Sequence, residues 1–396
     1  MSDRLLDGGH DLPPVFSGAP APARVSRRRR RRIVWGVLGG LVLAGAAVGV
    51  HLAANLGYDD ARVDFTDAAT IVENRQDDLS EETEELQLVT DTAAGIAEAD
   101  SGALMPAEAR ETLDAAIAAV EQTTADADAA ATASVPAAGE KPFWTWELFG
   151  ETARLGEDGE ELEAQADDIG DERRTVSDAS SAVEEAAVAA MQEAAGAASE
   201  FETAHVNARN PEILMLRATA DSVATSATAL DDAAVSLYGE LEAAAAAVLE
   251  TERAELAEKE GPLEGERVEI EAFARELAPG VLLDFDWSAT VPGYDGPSYG
   301  GWTTWWYGDP GYATIALSDY IAEEWPAAWT KALVAHEVGH AISVKCESMY
   351  DSSDQDTIEE WATAWAISMG YTDRANGTDV YGAPSQAMID RAAQCR

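Results

Sequence analysis

The stretch His336-Glu337-Val338-Gly339-His340, between Ala332-Leu333-Val334-Ala335 and Ala341-Ile342, decides how the C-terminal part of the chain folds. Its apolar flanks predict a buried helix. Histidines four residues apart on a helix lie about 40° apart around its axis, so both imidazoles point the same way. A catalytic zinc site takes three protein ligands and leaves a fourth position to water. Glu337 follows the first histidine directly, where its carboxylate can take a proton from that water without binding the metal.

A third ligand must be of another residue type. The chain has five histidines. His10 and His51 lie before or in an apolar N-terminal segment, and His205 lies in a remote helical region. A carboxylate or a thiolate therefore remains as the third ligand. A second apolar helix, opened by the two acids Glu359 and Glu360, follows the first one and supplies carboxylates.

The two helices resemble the zincin metallopeptidases, and among them the glutamate-ligand branch called gluzincins. That branch carries E-x-x-A or E-x-x-S on the downstream helix, and its Glu is the third metal ligand. By this resemblance Glu359 is the expected ligand, because Ala362 and Ala366 follow it in the matching register, and Glu360 is the alternative. The resemblance implies a zinc-dependent peptidase with Glu337 as the general base. Its expected Zn²⁺ ligands are His336, His340 and Glu359.

Two positions depart from this family. Thermolysin-like members place an Asp four residues after the ligand Glu to orient a histidine, and this chain has Thr363 there. Because such carboxylates fix the tautomer of a ligand histidine, another acid would have to act instead. The candidates are Asp351, Asp354, Asp356 and Glu360. The family also uses a Tyr or His to stabilise the oxyanion, and the candidates for that function are Tyr350, Tyr371 and Tyr381.

The two cysteines, Cys346 and Cys395, both lie in the C-terminal region. Cys346 occupies the position at which the metzincin branch has its third histidine, but the Gly which that branch needs at the turn is Ser343 here. On a continuing helix, Cys346 would lie about 80° from the His336 direction and face away from the metal. Two cysteines in an exported domain favour a disulfide. We predict that Cys346 and Cys395 pair, with thiolate ligation as the alternative.

The N-terminal sequence predicts a membrane anchor. Six consecutive arginines, Arg27 to Arg32, precede residues 33–50, which carry no charge, and the apolar character continues to Leu56. Such a stretch is long enough to span a bilayer, and the positive-inside rule keeps the arginines in the cytoplasm. The alternative is a cleaved signal peptide, but no A-x-A cleavage site stands out after the apolar stretch. We predict a disordered basic tail over 1–32, a single-pass transmembrane helix over 33–56, and an extracytoplasmic remainder at the cell membrane.

Charge divides at the same boundary. Residues 1–32 contain eight Arg and three Asp, whereas the remainder contains 18 basic and 71 acidic residues. The acidic part excludes nucleic acid as a partner and repels anionic lipid head groups. We interpret it as a solvated surface, and we expect a peptide or protein substrate, with cell-envelope material as one option.

Residues 58–275 predict an antiparallel helical bundle or an elongated stalk. Apolar residues repeat every seven positions from Phe65 to Ala93 and from Leu155 to Val183, and a third seam alternates fours and threes from Leu216 to Val248. Helix-breaking residues leave about four long helices. The breaks fall near Gly102–Pro106, Pro136–Pro142, Asn210-Pro211 and Gly261-Pro262.

Residues 276–396 predict a small domain with strands over 281–287, 302–307 and 313–317, and a last helix over 384–395. The aromatic residues Trp302, Trp305, Trp306 and Tyr307 either floor a cleft or pack in the core. The predicted fold class is therefore α+β: a long helical bundle or stalk, followed by a small zincin-like catalytic domain with a short mixed sheet and an HExxH helix.

Three functions follow as expectations. The leading one is a membrane-anchored, extracytoplasmic zinc peptidase. The second is a non-enzymatic helical surface scaffold with a vestigial or structural metal site. The third is a peptidoglycan-directed hydrolase with the same metal chemistry. Glu337 separates the first from the second, since a structural site has no need of a base beside its first ligand.

Overall fold

Long helices make up most of residues 27–277 in the computed structural model, which describes residues 27–291, 300–308 and 311–396. Of the predicted tail over 1–32, residues 1–26 lie outside the described residues, and the first helix begins at Arg27. The chain divides into two compact units, Met1–Arg75 with Ala133–Asp168, and Gln76–Thr132 with Ile169–Arg396.

The predicted helix breaks are confirmed, and one further break is present. Helices run over α1 (Arg27–Ala99), α2 (Ala107–Ala131), α3 (Thr145–Ala204), α4 (Asn210–Ser226), α5 (Asp232–Lys259) and α6 (Glu264–Leu277). The residues of the two seven-residue repeats, from Phe65 on α1 and from Leu155 on α3, are buried as predicted. Arg173 of α3 links the two helices through ion pairs with Asp78 and Glu82 of α1.

The predicted membrane-spanning helix over residues 33–56 is wrong. In the part of the chain that the structure describes, no helix contains a run long and apolar enough to cross a bilayer. At the end of the predicted span, His51 Nδ1 lies 2.9 Å from Thr145 Oγ1 and Ala54 is buried, whereas Leu52 and Leu56 are exposed. The predictions of a single-pass topology, a cytoplasmic N-terminus, an extracytoplasmic C-terminal domain and a cell-membrane localisation depended on this span, and the same finding contradicts them.

The extra break divides the seam from Leu216 to Val248. Helix α4 ends at Ser226, and the side chain of Asp231 caps α5 by accepting a hydrogen bond from the Ala234 amide at 2.8 Å. The seam residues are mostly buried because α4 and α5 pack against each other as a helical hairpin. Asp is a preferred N-cap residue, so Asp231 was the signal for this break.

The three predicted strands are confirmed to within two residues. They are β1 (Leu282–Ser288), β2 (Gly301–Trp306) and β3 (Tyr312–Ser318), in the order β1-β3-β2. Strand β3 pairs with β1 in parallel and with β2 antiparallel, so the sheet is mixed and β2 is an edge strand. The structure is therefore mostly helical with a small sheet, which confirms the α+β class.

Five helices follow the third strand: α7 (Asp319–Glu323), α8 (Ala328–Ile342), α9 (Gln355–Ser368), α10 (Thr378–Tyr381) and α11 (Gln386–Ala392). Helices α8 and α9 share a core with the sheet, in which Trp361 and Trp365 are fully buried. The Cys346–Cys395 disulfide is present, as predicted. Trp365 Nε1 donates to the Cys395 carbonyl at 3.0 Å, so α9 also holds the C-terminus against this core.

Asp284 makes the stability of this core depend on pH. It is buried on β1 and accepts a hydrogen bond from the Asn210 amide at 2.8 Å. Burial raises its pKa to about 7, against the opposing effects of Asn210 and Arg209. In the unfolded chain the pKa of Asp is about 3.9. Because the folded pKa is the higher one, the associated stability is fully present below pH about 4 and is lost as the pH rises towards 7.

We therefore expect the free energy of unfolding of the wild type, relative to Asp284→Asn, to fall by about 2–4 kcal/mol between pH 4.5 and pH 7.5. Asn keeps the acceptor oxygen for Asn210 and carries no charge. Urea unfolding followed by tryptophan fluorescence at the two pH values measures the difference. The same pH dependence in both proteins would contradict this account of Asp284.

Candidate metal centre

Helix α8 carries both histidines of the motif on one buried face. His336 and His340 are one turn apart, and their rings meet edge to face with centroids 4.8 Å apart. Gly339 lets α9 approach this face, since a Cβ at this position would lie 2.8 Å from the Ala362 carbonyl oxygen. Trp361 of α9 fixes the crossing by donating from Nε1 to the Gly339 carbonyl at 3.2 Å.

Helix α9 brings Glu359 to both histidines. Its Oε2 lies 3.3 Å from His336 Nε2 and 3.3 Å from His340 Nε2. Within the described residues this buried oxygen has no hydrogen-bond partner, although it lies so close to two ring nitrogens. Burial alone would raise the pKa of Glu359, but the two imidazoles outweigh it and lower the pKa. The three side chains therefore converge, but Glu359 Oε2 makes no hydrogen bond to any described residue.

This convergence fits a zinc ion. The three residues form a cluster whose ligand atoms lie within 4.8 Å of one another. Ligand atoms about 2.0–2.1 Å from a common tetrahedral centre are about 3.3 Å apart, which is the separation between Glu359 Oε2 and each Nε2. Two imidazoles and one carboxylate are also a donor set that catalytic zinc sites use.

Glu360, the alternative ligand, lies elsewhere. Its Oε1 accepts a hydrogen bond from the Ser385 amide at 3.0 Å, before α11. Cys346, the alternative thiolate, is paired with Cys395. His205, which was set aside from the sequence, lies 2.6 Å from Glu252 through its Nδ1. Of the ligands considered from the sequence, the structure thus brings together His336, His340 and Glu359.

Two neutral side chains, and not the predicted acids, contact the cluster at atoms that do not face its centre. Thr363 Oγ1 lies 3.4 Å from His336 Nδ1, at the position where the gluzincins have their Asp. Gly377 makes room for this contact: its φ is 99°, and a Cβ there would lie 2.7 Å from His336 Cε1. Gln355 Nε2 donates to Glu359 Oε1 at 2.8 Å, which turns Oε2 towards the histidines.

The predicted replacement acids have other partners. Asp351 accepts from Ser353, Asp354 caps α9 by accepting from Thr357, and Glu360 accepts from Ser385. Asp356 is exposed in the first turn of α9. None of these contacts places an acid at His336 Nδ1. Thr363 Oγ1 faces that atom instead.

Glu337 lies beside the cluster and is only 6% exposed. Thr303 of β2 donates from Oγ1 to Glu337 Oε2 at 2.7 Å, which leaves Oε1 for other partners. Gly301 lets β2 come this close, because a Cβ there would lie 2.7 Å from Oε1. Burial raises the pKa of Glu337, while His336 and Thr303 act in the opposite direction. A carboxylate with a raised pKa is suited to accept a proton.

A cavity of about 260 Å³ opens onto these residues. Trp302 and Trp305 of β2 line it, as does Tyr381 of α10. The Trp305 ring stacks on the His340 ring, with centroids 5.4 Å apart and an interplanar angle of 9°. The Tyr381 ring stacks on the His336 ring, with centroids 5.8 Å apart and an interplanar angle of 13°. Aromatic rings thus flank both histidines.

Of the three tyrosines proposed as oxyanion donors, Tyr381 borders this cavity. Tyr350 is held elsewhere by a 2.6 Å hydrogen bond between its hydroxyl and that of Tyr307. Tyr371 packs edge to face on Phe273. Of the three, Tyr381 is therefore the tyrosine that lies beside the cluster.

Sequence reasoning missed Thr303, Gln355, Gly301 and Gly377 as parts of this site. Gln355 stands four residues before Glu359, a spacing at which helical side chains meet, so that pair had a signal. No local sequence pattern indicated Thr303 or the two glycines, because their contacts depend on how distant elements pack against one another. No family model, curated protein or solved structure matches the chain, so function has to be inferred from these side chains themselves.

Proposed function

We propose that this protein is a zinc-dependent peptidase of the gluzincin type. The observation that carries the proposal is the buried Glu359 Oε2, which lies 3.3 Å from both Nε2 atoms and makes no hydrogen bond to any described residue. A second buried carboxylate, Glu337, borders the same cavity. A ligand set with a separate carboxylate beside it is what metal-dependent hydrolysis requires.

In this proposal His336, His340 and Glu359 hold the ion. Bound zinc would supply Lewis-acid chemistry that lowers the pKa of a water molecule towards neutrality. Thr363 Oγ1, 3.4 Å from His336 Nδ1, is assigned to accept the Nδ1 proton, which would leave Nε2 as the metal-binding nitrogen. The hydrogen bond from Gln355 occupies Oε1 of Glu359 and leaves Oε2 as the metal-binding oxygen.

Glu337 moves the proton. Thr303 holds its Oε2, so Oε1 takes the proton from the attacking water and later delivers it to the leaving amine. The Tyr381 hydroxyl is assigned to stabilise the oxyanion that forms on the scissile carbonyl, since a hydrogen-bond donor at that point lowers the barrier. The rings of Trp305 and Tyr381 cover the two histidines and limit the access of bulk water.

Zinc titration tests the ligand set, and Gln355 is the most informative position outside it. We expect the wild type to bind one equivalent of zinc, and Gln355→Leu to bind it about 10–100-fold more weakly, because loss of the hydrogen-bond partner of a ligand typically has this effect. Competition with a chromophoric chelator measures both affinities.

Gln386→Leu is the matched control. Gln386 donates to Asp390 at 2.8 Å across the same four-residue spacing, and both residues are exposed on α11. This variant loses the same kind of pair away from the cluster and should bind zinc like the wild type. Equal zinc affinity in Gln355→Leu and Gln386→Leu would contradict the assignment of Glu359 as a ligand oriented by Gln355.

A further inference from the structure

We propose that the cleft selects peptide segments with a Lys or Arg side chain next to the scissile bond. This inference rests on the proposed peptidase function and names its substrate class. Two features carry it: the aromatic walls of the cavity, and the sign of the charge around it.

Three aromatic residues line the cavity. Trp302 borders the cavity and is 51% exposed, and its Nε1 is held by Thr304 Oγ1 at 3.3 Å. Trp305 and Tyr381 border the same cavity with their rings held parallel to the histidines. A cationic side chain over the face of an indole or phenol ring is attracted by the ring quadrupole. Three such rings around one cavity favour a cation in an extended side chain.

The charge around the cavity has the matching sign. Glu337 and Glu359 line the cavity, and the described residues that line it include no Lys or Arg. Asp354 and Asp356 are the sequence neighbours of Gln355, which also lines it, at the start of α9. A bound zinc ion would offset the charges of Glu337 and Glu359, so Asp354 and Asp356 add net negative charge next to Gln355. Such surroundings attract cations and repel acidic peptides.

The wider surface has the same sign. Residues 301–396 contain 14 Asp and Glu but five Lys and Arg. Three of these cations are held by other groups: Lys345 by the Pro279 carbonyl, Arg374 by Asp379, and Arg391 by the Met349 carbonyl. An acidic peptide would therefore meet repulsion before it reached the cavity, and a basic one would be steered towards it.

The test uses zinc-loaded full-length protein and quenched-fluorescent peptides that are identical except for one residue beside the bond cleaved. We expect kcat/KM to be at least about fivefold higher for Lys than for norleucine, because norleucine keeps the aliphatic chain and lacks the charge. The Glu peptide should be the poorest of the three. The advantage of Lys over Glu should shrink between 20 and 500 mM NaCl, because salt screens the charges around the cavity.

Two tryptophan variants locate the preference. Trp302→Ala should reduce the ratio of Lys to norleucine. Trp306→Ala should preserve it, since Trp306 is 42% exposed on the same strand but stacks on Tyr312. Zinc-dependent cleavage with equal rates for Lys and norleucine would overturn this inference alone. Absence of cleavage of every peptide would overturn the proposed function as well, so the two failures are distinguishable.

Discussion

Replacement of Glu337 by glutamine is expected to lower kcat by about 10²–10⁴-fold, the usual contribution of a general base, and to leave zinc affinity unchanged. Glutamine keeps the shape of the side chain and still offers an oxygen to the Thr303 hydroxyl, which now donates to Glu337 Oε2 at 2.7 Å. It removes the atom that accepts the proton. The variant should therefore fold and bind metal but hydrolyse peptides slowly.

Steady-state hydrolysis by wild type and Glu337→Gln, each loaded with one equivalent of zinc, measures this effect. The same comparison separates an enzyme from a helical surface scaffold with a structural metal site. A scaffold would show no peptidase activity in the wild type, and Glu337→Gln would leave its properties intact. Activity within threefold of the wild type in a zinc-loaded Glu337→Gln protein would remove Glu337 from the mechanism.

The second large effect is expected at Glu359. Glu359→Ala should weaken zinc binding by more than the roughly 10–100-fold that follows loss of a ligand's hydrogen-bond partner, because two histidines rarely hold zinc in water. Glu360→Ala is the matched control on the same helix, since Glu360 accepts from the Ser385 amide and lies outside the cluster. It should bind zinc with wild-type affinity.

Chelator competition on both variants measures the two affinities, with helicity checked by circular dichroism. Glu359→Gln serves as a second variant that preserves the shape of the side chain and its packing. Equal zinc affinities in Glu359→Ala and Glu360→Ala would reverse the assignment of the third ligand.

Local sequence patterns were enough to predict much of the fold. The strands followed from apolar runs bounded by glycine-rich turns, and the helix breaks followed from Gly and Pro. The break before Asp231 was not predicted, because no Gly or Pro marks it and the apolar spacing continues across it. The predicted membrane span was wrong because, in the part of the chain that the structure describes, no helix contains a run that is long and apolar enough to cross a bilayer.

The site was predictable where one element carries the whole pattern. His336 and His340 share one helix face by their spacing alone, whereas the approach of Glu359 depends on how α9 crosses α8 at Gly339. No local pattern distinguished Tyr381 from the other tyrosines, because only the path of the chain around α10 decides which one borders the cavity.

Digestion of a mixed peptide library tests the central claim most directly. Protein stripped of metal by a chelator is compared with the same protein reloaded with one equivalent of zinc, and products are identified by mass spectrometry. We predict new cleavage products after reloading, none from the stripped protein, and none from zinc-treated His336→Ala. Absence of zinc-dependent products from the wild type, or the same products from His336→Ala, would contradict a zinc peptidase built on His336, His340 and Glu359.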